Sequence, residues 1–334
     1  MAISVRDVAE DAGVSVGTVS NVLNRPEKVS ADIVARVQAS IARLGFIRND
    51  AARQLRAGRS RAIGLVVLDI RNPFFAEVVR GAEERADEHG LTVLVANSDE
   101  NQQREAGHLA LFEEQRVTGV LVTPVAELLP RLVQMSERGI PSVLVDRESQ
   151  DPRFASVAVD DVEGGRLAAE HLLATGRRRL AFVGGPVKLR QVADRLSGAQ
   201  AAAAAANASV EFLATEALTV DEGRRLGDLI MRRPAAERPD AVFAANDLLA
   251  LGLLQSLVMT GNARVPQDIA LIGYDDIDFA AAAVIPLSSV RQPASLIGST
   301  AVDMLLSRSG GAAPSTEHVV FQPELVARAS SLGA

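Results

Sequence analysis

The sequence predicts a small all-α head built around a helix-turn-helix, followed by an α/β body of two Rossmann-like lobes. Two observations carry this prediction. Residues 5–23, VRDVAEDAGVSVGTVSNVL, contain two short helical patterns separated by a turn at Gly13. From Ala62 onward, runs of valine and leucine alternate with helical patterns, as in parallel sheets covered on both faces. The length of 334 residues suits such a head and body.

The second helix of the head presents a small, uncharged outer face. Ser15 is placed to cap this helix, and Val14 and Val19 occupy the positions of a hydrophobic staple. The residues expected to pack inward are Thr18, Val19, Val22 and Leu23. The opposite arc holds Val16, Gly17, Ser20, Asn21 and Asn24. Such a face can lie deep in a major groove and touch base edges, whereas the alternative is an ordinary helical hairpin.

A third helix and an arginine-rich segment follow. The third helix is expected to begin at Ser30 and to end at Gly45, with apolar residues at helical spacing between them. Residues 49–61, NDAARQLRAGRSR, contain few large apolar side chains. Residues 1–61 carry a net charge of +4, whereas the whole chain carries −7, so the remainder carries −11. This asymmetry indicates that one end touches phosphate, with a solvated linker as the alternative.

These segments resemble the LacI/GalR family of bacterial transcription regulators. The resemblance lies in VRDVAEDAGVSVGTVSNVLN, in Val29 and Ser30, and in LGFIRNDAARQLR at residues 44–56, and it continues through most of the chain. It implies a helix-turn-helix domain at 1–60 with a hinge helix at about 49–57. It also implies a periplasmic-binding-protein-like body at 61–334, used for effector binding and dimerisation. The function implied is a repressor that binds a palindromic operator as a dimer.

The resemblance also implies how the chain divides between the two lobes. The first lobe is expected to contain 62–160 and a return near 290–309. The second is expected to contain 161–286 and the tail near 319–325. Three crossings between the lobes would form a hinge, as in periplasmic sugar-binding proteins.

Polar and aromatic side chains at the ends of the predicted strands outline a cleft. Carboxyl ends of parallel strands face such a cleft, and carboxylates, guanidinium groups, an amide and two rings suit a sugar-like ligand. The residues that resemble the family's effector set are Asn72, Phe74, Phe75, Asp146, Arg147, Arg195, Asn246 and Asp275. Arg291 or Gln292 is expected to add a further polar contact. The alternatives are lobe-core packing for Phe74 and Phe75 and a structural salt bridge for Arg195.

Some positions depart from the family pattern. Leu218 stands near the point where many sugar-binding relatives carry an aromatic residue, so ring stacking from the second lobe is not expected. Asn21 stands where many relatives have arginine or histidine, which changes the operator sequence but not the mode of docking.

The resemblance assigns the DNA contacts residue by residue. Val16, Gly17 and Asn21 occupy the base-reading positions, and a further set binds phosphates or caps the helix. That set is Ser15, Thr18, Ser20 and Asn24. Ala52 and Leu55 match the residues that enter the minor groove, where a leucine wedge unstacks a base step. Arg53 and Arg56 are expected to follow the nearby phosphates, and core packing is the alternative for Leu55.

Helix physics predicts how an effector controls DNA binding. A segment as short as 49–57 does not stay helical alone in water, so it is expected to fold when two copies pair over a bent operator. An effector that changes lobe closure changes the separation of the two hinge segments. The coupling free energy between such sites is typically about 1–3 kcal/mol.

Two other classes of protein are possible from the sequence. A sugar-binding carrier would share the body but needs neither the basic head nor its helix-turn-helix. An α/β enzyme would use aspartates such as Asp160, Asp161, Asp275 or Asp276, but no nucleophile–base pair or metal-ligand spacing accompanies them. We therefore expect no enzyme activity, no cofactor and no metal site.

The composition also bears on the compartment. The chain has no cysteine, which excludes disulfides and thiolate metal sites. Charged residues from Arg6 to Asp11 interrupt any apolar signal-peptide core, and no run of about 18 apolar residues is present. The expected place is the bacterial cytoplasm, with no membrane partner.

Overall fold

The computed structural model describes residues 3–46, 60–125, 129–260, 263–309 and 317–332. Two compact units make up the chain, Met1–Arg59 and Ser60–Ala334. The predicted hinge helix at 49–57 lies outside the described residues.

The first unit contains three α-helices within 3–46. Their bounds are α1 Val5–Asp11, α2 Val16–Asn24 and α3 Ala31–Leu44. A turn of 3₁₀ helix, Pro26–Lys28, leads from α2 toward α3. Gly13, with φ +63°, makes the turn between α1 and α2, and Gly45, with φ +64°, ends α3. The helix-turn-helix and the third helix are therefore confirmed.

A compact apolar core holds these helices together. Val8, Val19 and Val37 are fully buried, one from each helix. Val14 and Val19, the predicted staple, both belong to this core. The Asp11 carboxylate accepts hydrogen bonds from Ser40 and Arg43, which fastens α1 to α3.

The second unit contains two six-stranded sheets. The strands of the first sheet are β1 Ala62–Val67, β2 Thr92–Asn97, β3 Gly119–Val122, β4 Ser142–Val145, β5 Ala155–Val159 and β11 His318–Phe321. Its order is β11-β5-β4-β3-β1-β2, and all of its pairs are parallel. The helices of this first lobe are α4 Pro73–Glu88, α5 Gln102–Glu114, α6 Leu129–Glu137 and α12 Ala294–Ser309.

The second lobe repeats the arrangement. Its strands are β6 Arg179–Gly184, β7 Ser209–Ala214, β8 Ala241–Ala244, β9 Ala270–Asp275, β10 Ser288–Arg291 and β12 Glu324–Val326. Their order is β12-β10-β9-β8-β6-β7, parallel except for the antiparallel β10–β12 pair. Its helices are α7 Asp161–Ala174, α8 Arg190–Ala205, α9 Val220–Arg232, α10 Asp247–Gln255, α11 Asp278–Ala282 and α13 Ala329–Leu332.

The chain crosses between the lobes three times, after β5, after β10 and after β11. Two of the predicted borders are wrong. Val290 was expected in the first lobe but lies in β10 of the second sheet, where it pairs with Tyr274 of β9. Val319 was expected in the second lobe but lies in β11, where it pairs with Val157 of β5. Strand pairing decides both assignments, and sequence spacing alone does not reveal which edge a short strand joins.

Close packing of α7 against α8 positions the buried polar groups described below. A Cβ at Gly198 of α8 would lie 1.9 Å from the Val162 carbonyl oxygen, and a Cβ at Gly165 of α7 would lie 2.0 Å from the Arg195 carbonyl oxygen. Glycine at both positions lets the two backbones approach this closely.

Candidate functional site

The second helix of the first unit carries the predicted outer face on its exposed side. The Ser15 side chain accepts a hydrogen bond from the Thr18 amide at 3.1 Å and so caps α2, as predicted. Val16 is 46% exposed, and Gly17 and Asn21 are exposed beside it. Because Val16 is exposed and α2 is capped and packed on its other side, the Val16 side chain can contact bases in a DNA groove.

The remaining head residues of the predicted set hold the helix itself together. The Thr18 and Ser15 hydroxyls lie 2.9 Å apart. The Asn24 side-chain amide donates to the Ser20 carbonyl oxygen at 2.8 Å and lies 3.3 Å from the Ser20 hydroxyl. The predicted minor-groove and phosphate residues, Ala52, Arg53, Leu55 and Arg56, lie outside the described residues.

Most of the predicted effector residues line a single cavity in the second unit. The space in it that a water-sized molecule can occupy is about 30 Å³. The predicted residues on its wall are Asn72, Phe74, Phe75, Asp146, Arg195, Asn246 and Asp275. Arg147 is the exception, because it lines a neighbouring pocket instead. We call the cavity lined by these seven residues the inner cavity and the neighbouring pocket that Arg147 lines the outer pocket.

Asn72 and Asp275 meet across the two lobes. Asn72 caps α4, since its Oδ1 accepts from the Phe74 amide at 3.0 Å. Its Nδ2 donates to Asp275 Oδ2 at 2.9 Å. Asp275 Oδ1 accepts from Gln292 at 2.8 Å, so the predicted further polar contact at Gln292 acts through Asp275. Burial raises the pKa of Asp275 to about 6.

Arg195 is both a wall of the inner cavity and a member of a buried ion pair. Its Nε donates to Asp161 Oδ1 at 2.7 Å, and its Nη1 donates to the Ala245 carbonyl oxygen at 2.7 Å. Its guanidinium carbon lies 3.6 Å from the centre of the Tyr274 ring. These contacts fix the guanidinium plane, and Asp275 Oδ1 lies 4.0 Å from Nη1.

Asp146 links the first lobe to α8 of the second. The Gln191 side-chain amide donates to Asp146 Oδ2 at 2.9 Å and to its carbonyl oxygen at 2.8 Å. Among the described residues, none hydrogen-bonds to Asp146 Oδ1, although this atom is buried. Burial, with the Asp161 carboxylate nearby, raises the pKa of Asp146 to about 8. A carboxyl group that keeps its proton to higher pH can donate a hydrogen bond to a ligand hydroxyl.

Asn246 completes the polar wall from the second lobe. Its Oδ1 accepts from the Leu249 amide at 2.9 Å, which caps α10, and its Nδ2 donates to the Leu218 carbonyl oxygen at 3.2 Å. Leu218 itself lines the inner cavity, so this part of the wall is aliphatic. The rings are supplied from the first lobe, where Phe74 and Phe75 pack edge to face with centroids 5.1 Å apart. Both are also part of the lobe core, so both interpretations of these residues hold.

Sequence reasoning missed several residues of this region. Gln191, Leu68, Leu189 and Val192 also line the inner cavity, and Asp161 and Tyr274 hold Arg195 in place. A signal for Gln191 was present, because it precedes Arg195 by one helical turn and therefore lies on the same face of α8. The sequence pattern indicates Asp161 only as a possible enzyme residue.

The two strand-end aspartates adopt an uncommon backbone conformation. Asp146 follows β4 with φ +57°, and Asp275 ends β9 with φ +107°. Non-glycine residues with positive φ cluster at binding sites, where the surrounding structure maintains them. Here the unusual turns direct two carboxyl groups from opposite lobes to the same cavity.

Nowhere in the described ranges do three or more His, Asp or Glu side chains cluster as a metal ion requires. In the same ranges, no helix combines the length and apolar character needed to cross a membrane.

Comparison with known families gives two matches. Residues 4–49 match the model described as bacterial regulatory proteins, lacI family. Residues 169–331 match a periplasmic binding protein-like domain. The two matches fall in the two compact units.

Similar proteins match over nearly the whole chain. The HTH-type transcriptional repressor PurR of Aliivibrio fischeri (strain MJ11) is 32% identical over 98% of both chains. The ribose operon repressor of Escherichia coli (strain K12) is 32% identical over 98% of this chain and 99% of its own. Among solved structures, the lac repressor dimer bound to operator and the anti-inducer ONPF matches with a TM-score of 0.86 and 28% identity, with full coverage of both chains.

Proposed function

Because the chain belongs to the LacI family of bacterial regulatory proteins, we propose that it represses transcription from a palindromic operator under the control of a small ligand in the inner cavity. The chain is a DNA-binding transcriptional repressor, like the relatives that match it from end to end, and not an enzyme. The observation that carries the proposal is the joint presence of the exposed face of α2 and an interlobe cavity whose wall includes carboxyl, guanidinium and amide groups. The proposed division is a DNA-binding domain at 1–60 and an effector and dimerisation domain at 61–334.

The reading helix docks in the major groove. Val16, Gly17 and Asn21 reach base edges, with Asn21 as the side chain able to hydrogen-bond to a base and Val16 as an apolar contact for a thymine methyl group. Ser15, Thr18, Ser20 and Asn24 lie beside the phosphates. Their hydrogen bonds within α2 hold the helix in shape before it meets DNA. We propose that base identity depends on this small face rather than on long charged side chains.

The segment that follows the head reads the minor groove. Ala52 and Leu55 enter it at the centre of the operator, and Arg53 and Arg56 neutralise neighbouring phosphates. Two copies are needed to present two such segments to one palindrome, which makes the active form a dimer. The effector acts by altering lobe closure and hence the spacing of the two segments.

The ligand is a small polyhydroxylated molecule. Buried carboxyl, amide and guanidinium groups from both lobes hydrogen-bond to its hydroxyls, and Phe74 and Phe75 contact its C–H face. Arg147 contacts the ligand only from the side of the outer pocket. D-ribose is the first ligand to test, because a relative of similar length is a ribose operon repressor.

A repressor of bacterial operators acts where the chromosome is, so we place this one in the cytoplasm. The alternative, a sugar-binding carrier without a regulatory role, lacks support, because the relatives match the head as well as the body over 98% of the chain.

Selection of DNA from a randomised pool tests the function directly. The full chain is expected to enrich palindromic sites at about physiological salt, and a gel shift with the enriched site should give a dimer complex. Recovery of sequences without symmetry, or binding that does not distinguish the enriched site from scrambled DNA, would overturn the proposal.

A further inference from the structure

Asp247 is a fully buried residue that lines neither the inner cavity nor the outer pocket. It is the first residue of α10 and directly follows Asn246, which does line the inner cavity. A Cβ at Gly273 of β9 would lie 2.0 Å from Asp247 Oδ1, so glycine at this position leaves room for the carboxyl group. The Asp247 side chain therefore lies against the strand that ends in Asp275.

The Asp247 side chain connects two segments of the second lobe. Its Oδ2 accepts a hydrogen bond from the Ile277 amide at 2.9 Å, and its Oδ1 accepts one from the Ser289 hydroxyl at 2.7 Å. The Ser289 hydroxyl oxygen in turn accepts from the Asp276 amide at 3.0 Å. Two successive backbone amides are therefore held, that of Ile277 directly and that of Asp276 through Ser289. We call the Asp247 and Ser289 side chains the brace.

The amides held by the brace belong to the turn that follows β9. Asp275 has φ +107° and Asp276 has φ +54°, so two successive non-glycine residues of this turn have positive φ. Such conformations are uncommon, and the surrounding structure must maintain them. The brace supplies hydrogen bonds of that kind, because it binds the two amides that follow Asp275.

The turn decides where the Asp275 side chain points. Asp275 lines the inner cavity, where it accepts hydrogen bonds from Asn72 of the first lobe at 2.9 Å and from Gln292 at 2.8 Å. Ser289 lies in β10, three residues before Gln292, so the brace fixes the same two segments that meet again at Asp275. A turn relaxed to negative φ would direct the carboxyl group elsewhere.

We propose that Asp247 and Ser289 are positioning residues of the effector site: together they maintain the positive-φ turn that directs the Asp275 carboxyl group into the inner cavity. The proposal rests on the proposed function only for the identity of this cavity as an effector site. The brace acts through Asp275, so its effect can be measured at the partner of Asp275 in the other lobe.

A double-mutant cycle between the brace and Asn72 tests this proposal. Ser289→Ala removes the hydroxyl that links Asp247 to the Asp276 amide. Asn72→Ser removes the amide donor to Asp275 but keeps an oxygen that can cap α4. Ser289 and Asn72 hydrogen-bond to different groups, so purely local effects of the two substitutions should be additive.

We expect the effects to be non-additive, because the Asn72–Asp275 hydrogen bond is already weakened when Ser289→Ala releases the turn. In the parent chain, Asn72→Ser should raise the unfolding equilibrium constant about tenfold. In the Ser289→Ala chain, the same substitution should raise it about threefold or less. Urea denaturation measures both factors, and equal factors in the two chains would overturn the proposal.

Ser256→Ala is the matched control. Ser256 is also a buried serine whose hydroxyl donates to an aspartate, Asp228, at 2.5 Å, but it lies at the other end of α10. Asn72→Ser should therefore have the same effect in the Ser256→Ala chain as in the parent. An equal reduction of its effect in the Ser256→Ala and Ser289→Ala chains would also overturn the proposal, because any loss of stability in the second lobe would then be sufficient.

A second variant keeps the test decisive. If circular dichroism shows that Ser289→Ala is unfolded, Asp247→Asn takes its place, because it keeps the size of the side chain but only one acceptor oxygen, and it should reduce the effect of Asn72→Ser in the same direction. The cycle needs neither operator nor effector. Failure to select a palindrome would overturn the proposed function and leave the brace standing, whereas additive effects in the cycle would do the reverse.

Discussion

Asn72 and Asp275 are separated by 203 positions in the sequence, and a hydrogen bond of 2.9 Å joins their side chains between the two lobes. Asn72 also caps α4 through its other side-chain atom. One residue thus fixes the start of a helix in the first lobe and holds a carboxyl group of the second. The two roles can be separated by substitution.

Asn72→Asp keeps an oxygen for the cap but replaces the donor to Asp275 by a second carboxyl group. We expect the free energy of unfolding to fall by about 1–3 kcal/mol, the cost of an unsatisfied buried polar group. Urea denaturation measures it. Asn101→Asp is the matched control, because Asn101 caps α5 in the same way but is exposed; its change should stay within about 0.5 kcal/mol. Equal losses in the two variants would mean that the interlobe bond contributes nothing.

Arg195→Ala leaves Asp161 buried without its partner. The expected loss of unfolding free energy is about 3–5 kcal/mol, as for removal of one partner of a buried ion pair. Asp161→Asn in the same chain removes the orphaned charge, so the double variant should recover part of the loss. A double-mutant cycle by urea denaturation measures the coupling, and no recovery would argue against the pair.

Arg195→Ala also tests the effector site, because response to the effector should disappear while operator binding persists. Calorimetry with D-ribose is the direct measurement if ribose binds the parent protein, and unchanged affinity would remove Arg195 from the site.

Asp146 makes stability depend on pH. Its pKa is about 8 in the folded chain against an ordinary value of 3.8, with burial as the largest cause and Asp161 as the next. The folded state therefore holds the proton longer than the unfolded state, and the stabilising contribution of the protonated group, complete below about pH 4, is lost as the pH rises through 8. Urea denaturation measures the effect. Between about pH 4 and 8, the free energy of unfolding of the parent chain should fall steadily relative to that of Asp146→Asn.

Asp268→Asn supplies the control of opposite sign. Hydrogen bonds from Arg264 lower the pKa of Asp268 to about 2, so its contribution is lost only as the pH falls below about 4. Between about pH 4 and 8, the difference in unfolding free energy between Asp268→Asn and the parent chain should stay constant. A flat profile for Asp146→Asn as well would contradict the raised pKa of Asp146.

Asn21→Ala tests base reading by α2. Loss of a specific base contact costs about 1–3 kcal/mol, so operator affinity should fall by roughly 5- to 150-fold, with the salt dependence unchanged. Gln38→Ala, on the exposed side of α3, is the control and should bind as the parent does. Fluorescence anisotropy with the selected operator at two salt concentrations measures both quantities. A uniform loss on scrambled DNA would assign Asn21 to the phosphates instead.

Leu55→Ala tests the minor-groove wedge. Without the leucine, unstacking of the central base step is no longer compensated, so affinity for the operator should fall more than affinity for scrambled DNA. Competition gel shifts give the ratio. An equal reduction on both DNAs would favour packing of Leu55 within the protein.

Local patterns were sufficient for much of the molecule. The cap at Ser15, the turn at Gly13 and the stop at Gly45 depend on backbone preferences of the residues themselves, and the structure confirms all three. Buried strands and their flanking helices were visible from apolar runs. The edge strand β7 has no such run, because most of its residues are exposed.

Which side chains from distant segments meet in one site depends on the tertiary fold and not on local patterns. Asn72, Asp146, Arg195, Asn246 and Asp275 were expected at one cleft because strand ends in α/β folds converge, and they do line one cavity. Arg147 follows Asp146 directly, yet it lines the outer pocket, since adjacent residues leave a strand end in different directions.

The sequence by itself determined the helix-turn-helix, the alternating body and the residue types available for a polar ligand, because each of these depends on short-range preferences and hydrophobic periodicity. Only the tertiary structure decided that Val290 and Val319 belong to opposite sheets from those expected, that Asp161 holds Arg195, and that Gln191 hydrogen-bonds to Asp146. Those outcomes depend on the pairing of strand edges and on the close approach of α7 and α8, contacts between residues far apart in the chain that no local pattern encodes.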